Sequence, residues 1–238
     1  MPSDQNNMEG TFPTEMGLLT SLMNMDFDLN LLRGSIPDSF KALGKLENFF
    51  ASGNRMTGPI PSWIDSWTAM RNINLSHNLL TGRFPSTLGN LPAMEGLALD
   101  NNLLTNNLDG IFDSNLVPGF RNLEQFYLEN NQFTGTLSEN FMKDMSKIAY
   151  LDISDNMFSG SIPSHLFEYP ELLVLDLHDN DFTTLPSEFQ PNDKMGLLAL
   201  QKCKFANQAI PPTISNLKSL QHLDVSQVGP VNVNTDQS

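Results

Sequence analysis

Residues 70–91 read MRNINLSHNLLTGRFPSTLGNL, and the spacing of their apolar side chains decides the fold. Met70, Ile73 and Leu75 stand at positions 1, 4 and 6 of a nine-residue phrase that Asn78 closes. Alternation from position 4 to position 6 is a strand period, so both side chains face one side of an extended segment. The phrase recurs along the chain. Asn30, Asn54, Asn78, Asn102, Asn131, Asn156 and Asn180 follow one another at steps of 24, 24, 24, 29, 25 and 24 residues, and Cys203 and Val228 take the same slot after steps of 23 and 25. The three apolar positions are filled elsewhere by Leu22, Met25 and Phe27, by Leu123, Phe126 and Leu128, and by Leu172, Leu175 and Leu177. One such unit cannot bury its apolar side alone, so successive units stack about 4.8 Å apart as neighbouring parallel strands. The closing asparagine turns inward, where its amide offers both donors and an acceptor to the turn backbone. A buried column of amides is tolerable only when those bonds are made.

After each asparagine the frame places an apolar residue two on, a glycine two further, and then Ile-Pro or Phe-Pro, as in LLTGRFPSTLGNL after Asn78 and MFSGSIPSHLF after Asn156. This pattern resembles the leucine-rich repeat family, and its GxIPxxLxxL half resembles the plant-type class of receptor-like proteins, receptor kinase ectodomains and polygalacturonase inhibitors. The resemblance implies an α/β leucine-rich repeat solenoid, a horseshoe with a parallel β-sheet on its concave face and extended or 3-10 returns on its convex face. The frame divides the chain into a disordered N-terminus at 1–7, a repeat domain at 8–228 with its first and last units incomplete, and a disordered tail at 229–238. It opens in mid-unit at GTFPTEMGLL, without the cysteine-paired cap usual in the class. An uncapped stack exposes apolar edges, so the expectation is a fragment or an uncapped array.

A formal net charge of -14 repels nucleic-acid backbones and anionic membrane surfaces, and fits a protein or peptide partner, including a basic one. No apolar run approaches the roughly 20 residues of a membrane span, so no direct membrane insertion is expected, and MPSDQNN at 1–7 is too polar for a secretion signal. The resemblance nevertheless implies an extracellular or membrane-attached setting. The lone Cys203 excludes an internal disulfide.

On the concave sheet, positions 3, 5, 7 and 8 point to solvent and are free to vary. Asp152, Asp176, Asp224, Ser76, Ser154 and Ser226 follow the family's common LDLS phrase and read as framework. Departures from that phrase are the candidate binding residues: the aromatics Phe50, Tyr127 and Tyr150, which suit binding anchors, and the polar set Asp26, Asp28, Asp100, Glu129 and His178. Asp155 and Asp179 share position 8 of adjacent repeats with Lys202 next in the column, a charge ladder on which a cation or basic side chain could dock. A sequon, Asn74-Leu75-Ser76, lies on the same face.

Catalysis finds no support. The four histidines, His77, His165, His178 and His222, are scattered, and His178 and His222 lie two repeats, roughly 10 Å, apart, too far to share a metal directly. No nucleophile motif or phosphate loop occurs, and no cofactor or metal is implied. Residues 103–122 hold the longest step, which reads as a short helix or wider convex loop or, alternatively, as a protruding contact element built on Ile111, Phe112, Leu116 and Phe120. The expected function is a non-catalytic protein- or peptide-binding module, receptor-like or part of a receptor ectodomain. An inhibitor of a secreted enzyme and an intracellular scaffold are the alternatives.

Overall fold

A computed structural model of the protein describes residues 6–108, 118–143, 145–205 and 208–227. The polar start at 1–5, the tail from 228 onward and the inserted residues Ile111, Phe112 and Leu116 lie outside the described residues.

The phrase folds as a strand in every repeat. Asn24–Asp26, Asn48–Phe50, Asn72–Asn74, Gly96–Ala98, Gln125–Tyr127, Tyr150–Asp152, Val174–Asp176, Leu197–Ala199 and His222–Asp224 form one parallel sheet in chain order. Register is kept position for position: Met25 pairs with Phe49, Phe49 with Ile73, Ile73 with Leu97, and Leu97 with Phe126. Equal positions of successive repeats therefore stand side by side. Positions 1, 4 and 6 are buried from Leu46 through Leu200 and build one continuous apolar core. Leu223, in the last of these strands, is 41% exposed.

Position 8 has a left-handed backbone in repeat after repeat, with φ of 53° at Asn101, 50° at Asn130 and 49° at both Asp155 and Asp179. Asn and Asp tolerate that region best after glycine, which explains their frequency there. The turn aims the next residue, the ladder asparagine, inward. Nδ2 of Asn78 donates to the carbonyls of Leu75 and Ser76 at 3.1 Å and of Ala51, one repeat back, at 2.9 Å, while its Oδ1 accepts from Met56 N–H at 2.9 Å. Asn102 repeats the set on Leu75, Leu99, Asp100 and Leu80. Each amide thus ties its own turn to the repeat before it. Cys203 keeps one such contact, from Sγ to the Leu177 carbonyl at 3.4 Å. Burial pushes its thiol up to about 11.

The returns carry 3-10 helices, such as Asp38–Ala42, Ser86–Asn90 and Ser164–Phe167. They also carry a second parallel sheet that the frame does not foretell, running from Glu9–Gly10 through Leu31–Gly34, Arg55–Gly58, Leu79–Arg83, Leu103–Asn107, Gln132–Thr136 and Met157–Ser161 to Asp181–Thr184. Between the two sheets Phe133, Phe158 and Phe182 stack with ring centroids 6.2 and 6.4 Å apart. Phe120 corrects the alternative reading of the insertion. It is 1% exposed, packed against Phe84 and Phe126 in the core, and is no part of a protruding element. In the repeat that lacks glycine after Asn180, buried Asn192 holds the return instead: its Oδ1 accepts from Lys194 and Met195 N–H at 2.9 Å.

Asn78→Ala is expected to lower stability by about 1 to 3 kcal/mol, because it leaves buried backbone groups without partners. Asn90→Ala, which removes an exposed amide bonded to Asp65, should stay within about 0.5 kcal/mol. Urea midpoints of the two variants measure the difference. A second expectation concerns Cys203: with its thiol buried and its pKa raised, it should react with an aromatic disulfide reagent only as fast as the chain unfolds, and within seconds in urea.

Candidate functional site

The concave sheet has a framework of its own. Where position 5 is Asp or Asn, its side chain accepts the backbone N–H of position 7: Asp26 from Asp28 at 3.1 Å, Asn74 from Ser76 at 3.1 Å, Asp152 from Ser154 at 3.0 Å, Asp176 from His178 at 3.2 Å and Asp224 from Ser226 at 2.9 Å. Four repeats abandon this brace, with Phe50, Ala98, Tyr127 and Ala199 at position 5. Three of those four surround one feature.

Across the third and fourth strands the face sinks into a depression of about 450 Å³, lined among others by Phe50, Asn72, Asn74, Gly96, Ala98, Asp100 and Tyr127. Gly96 and Ala98 make its floor because they carry almost no side chain. Phe50 and Tyr127, both half-buried, flank it three strand spacings apart, about 14 Å. Along one wall an amide ladder runs up position 3: Asn48 Nδ2 donates to Asn24 Oδ1 at 2.6 Å, and Asn72 Nδ2 to Asn48 Oδ1 at 2.9 Å. It stops at Gly96, where an added Cβ would meet Asn72 Oδ1 at 2.7 Å. The carbonyl end of the ladder therefore opens on the depression. Neither the floor nor this ladder figures among the sequence candidates, although three consecutive asparagines at one position followed by glycine were a readable signal.

Carboxylates gather on the far side. Asp100 accepts the hydroxyl of Ser76 and, at 2.9 Å, the amide of Asn101, with His77 Nε2 3.7 Å away. Glu129 lies beside Asp152 of the next repeat. A hydrogen bond to Asp152, burial, and the charges of Asp152 and Asp100 raise its pKa to about 7, against the lowering effect of Asn101. Burial, with Tyr150 and the carboxylates Asp152, Asp100 and Glu129, also raises the pKa of Tyr127 and keeps its phenol neutral.

The remaining candidates separate. Tyr150 is half-buried and lies next to Gln125 and Val174, outside the lining. Asp28 is occupied, accepting Ser52 N–H at 2.6 Å as a brace for the neighbouring turn. His178, Asp155 and Asp179 form a second cluster several repeats away. His178 Nδ1 is 2.6 Å from Asp176 Oδ1, and its Nε2 is 3.1 Å from Asp155 and 3.8 Å from Asp179, which also holds Lys202 at 2.5 Å. Burial opposes a charge on His178, but the hydrogen bond and charge of Asp176, with Asp155 and Asp179, outweigh it and raise its pKa. Burial of Asp176 raises that carboxyl more than the His178 contact lowers it. Ser154, the hydroxyl beside this pair, is buried and donates to Asp152 at 2.6 Å, so it is not presented as a nucleophile. Among the described residues no helix is long and apolar enough to cross a membrane.

Comparison with known proteins follows the same geometry. A family model described as Leucine Rich Repeat matches residues 69–91, 122–143 and 147–168. Receptor-like protein 39 of Arabidopsis thaliana is 43% identical over 105 residues, a match covering 42% of this chain and 12% of that protein, so the match spans about an eighth of its relative's length. Among solved structures, a plant ice-binding protein superposes with a TM-score of 0.78 at 27% identity, covering 92% of this chain and 71% of that one. The Arabidopsis receptor kinase HAESA, solved in complex with the peptide hormone IDA and the co-receptor SERK1, superposes with a TM-score of 0.73 at 28% identity, covering 92% of this chain and 40% of that one.

The raised pKa of Glu129 has a sign that can be measured. The folded chain holds a proton there that the unfolded chain has released, so this contribution to stability is complete below the ordinary glutamate range and lost as pH rises through about 7. Wild-type urea midpoints should fall between pH 5 and pH 8. Glu129→Gln should flatten that fall and exceed wild type at pH 8. Parallel pH profiles for the two proteins would show that Glu129 titrates normally.

Proposed function

We propose that this chain, a plant-type leucine-rich repeat protein, is a non-catalytic receptor-like module that binds an extended peptide or a protein loop on its concave face. The observation that carries this reading is the small-residue floor of Gly96 and Ala98 between Phe50 and Tyr127. A ligand side chain seated there would be walled by two aromatic rings, and a ligand amide N–H could extend the asparagine ladder at Asn72 Oδ1. Asp100, Glu129 and Asp152 favour a basic residue further along the ligand, and the overall charge favours its approach. HAESA, with its bound peptide hormone, supports the same class of partner. Residues 8–228 would form a single binding unit.

The ice-binding neighbour shares the architecture. On the return sheet Thr105 and Thr183 each donate at 3.3 Å, and Ser159 at 3.4 Å, to a glycine carbonyl one repeat back, while Thr57, Thr81 and Thr134 of the same row are exposed. An enzyme inhibitor would use the same concave surface as a receptor. A glycan on the sequon residue Asn74 would occupy the depression, so binding requires that residue bare.

Peptides selected from a displayed random library on the wild-type protein supply the test. Ala98→Leu fills the floor and should weaken their binding at least tenfold, and Phe50→Ala or Tyr127→Ala by about 30-fold. Val174→Leu, on the same face outside the depression, should change little. Selected peptides that bind Ala98→Leu, Phe50→Ala and Tyr127→Ala as tightly as wild type would refute the site.

A further inference from the structure

The second cluster, around His178, has an arrangement that binding of a peptide at the depression does not use. Position 7 of the seventh repeat carries the imidazole, and position 8 of that repeat and of the one before it carry Asp179 and Asp155. Their left-handed backbones, with φ of 49° at both, hold the two carboxylates on one side of the ring. One ligand atom from each of the three residues lies within 4.8 Å of the other two. Nε2 is 3.1 Å from Asp155 Oδ2 and 3.8 Å from Asp179 Oδ2. Three donors around a tetrahedral ion at about 2.0 to 2.2 Å stand about 3.3 Å apart, so small side-chain rotations suffice.

Two features outside this trio point the same way. Asp176, a largely buried carboxylate, sits 2.6 Å behind Nδ1 and fixes which ring nitrogen faces the trio, the support that metal-bound histidines commonly have. Gln201, one strand over at the position equivalent to His178, has a buried Oε1 with no hydrogen-bond partner among the described residues, and its backbone carbonyl accepts Asp179 N–H at 3.0 Å. That backbone bond keeps its strand in register beside the cluster.

We propose that Asp155, His178 and Asp179 form a binding site for a divalent transition metal of the zinc type on the concave face. One imidazole nitrogen with two carboxylate oxygens suits a borderline ion and leaves coordination positions for water or a ligand group. The ion replaces an existing occupant of the negative site, the ammonium of Lys202, which is 2.5 Å from Asp179. Asp176 and Asp224 add to the field around the ring.

Zinc chloride titrated into the full chain at pH 7.5, followed by the ring-nitrogen signals of the histidines, tests this without any variant. Saturable movement of the His178 signals at one equivalent, with His77 and His165 unmoved, is the expected result. Calorimetry should show affinity reduced at least tenfold in His178→Gln, about 10- to 100-fold in Asp176→Asn, and increased in Lys202→Ala, where the competing ammonium is gone. Tighter binding in Lys202→Ala is a result that a merely structural role for the cluster would not produce. Zinc that moves only the other histidines, or binds His178→Gln as tightly as wild type, overturns the site.

Discussion

One hydrogen-bonding residue sets the geometry on which everything else rests. An inward asparagine at the end of seven of the nine concave strands bridges its own turn and the repeat before it, with four bonds at 2.9 to 3.1 Å in the case of Asn78. Apolar burial supplies most of the drive to stack, but it is indifferent to small rotations and slips between units. The amide is not indifferent, because each of its bonds would be lost by a one-residue shift. Register is therefore held repeat by repeat. Concave side chains at equal positions stand a strand spacing apart as a consequence.

That alignment is what makes a surface out of scattered residues. Gly96 and Ala98 are separated from Phe50 and Tyr127 by many residues in the chain, yet they meet because positions 3 and 5 are in register across four strands. The same alignment puts Glu129 beside Asp152, so that two acids share a hydrogen bond, and sets His178 between Asp155 and Asp179. The two clusters differ in kind. Near Tyr127 Glu129 shares a hydrogen bond with Asp152 and its pKa is raised, whereas near His178 the acids are relieved by an imidazole and by Lys202. The first suits a partner that brings a positive charge, and the second suits a partner that displaces one.

The frame was legible in the sequence because it depends on residue type: apolar at positions 1, 4 and 6, an amide at 9, and a turn-forming residue at 8. The horseshoe and the concave sheet follow from it directly. The second sheet was not legible, because the return strands pair through backbone groups that leave little side-chain pattern around each Thr-Gly or Ser-Gly. The candidate site was half legible. Phe50 and Tyr127 stood out as departures from the LDLS phrase, but Asp28 was indistinguishable from a free carboxylate until its bond to Ser52 N–H was seen. Gly96 and Ala98 escaped notice because a concave depression is marked by the lack of a side chain. Phe120 looked like part of an insertion, yet its place in the core follows from the helix Pro118–Asn122, which restores the ordinary return.

Hydrogen–deuterium exchange on the whole chain, with and without a peptide selected on it, tests the central claim most directly, because it reads the bound surface without altering a residue. Slowed exchange should centre on Asn72–Asn74, Gly96–Ala98 and Gln125–Tyr127, the strands that carry the floor of the depression and its walls. Slowing confined to the return sheet, with those three strands unchanged, would contradict a concave binding site.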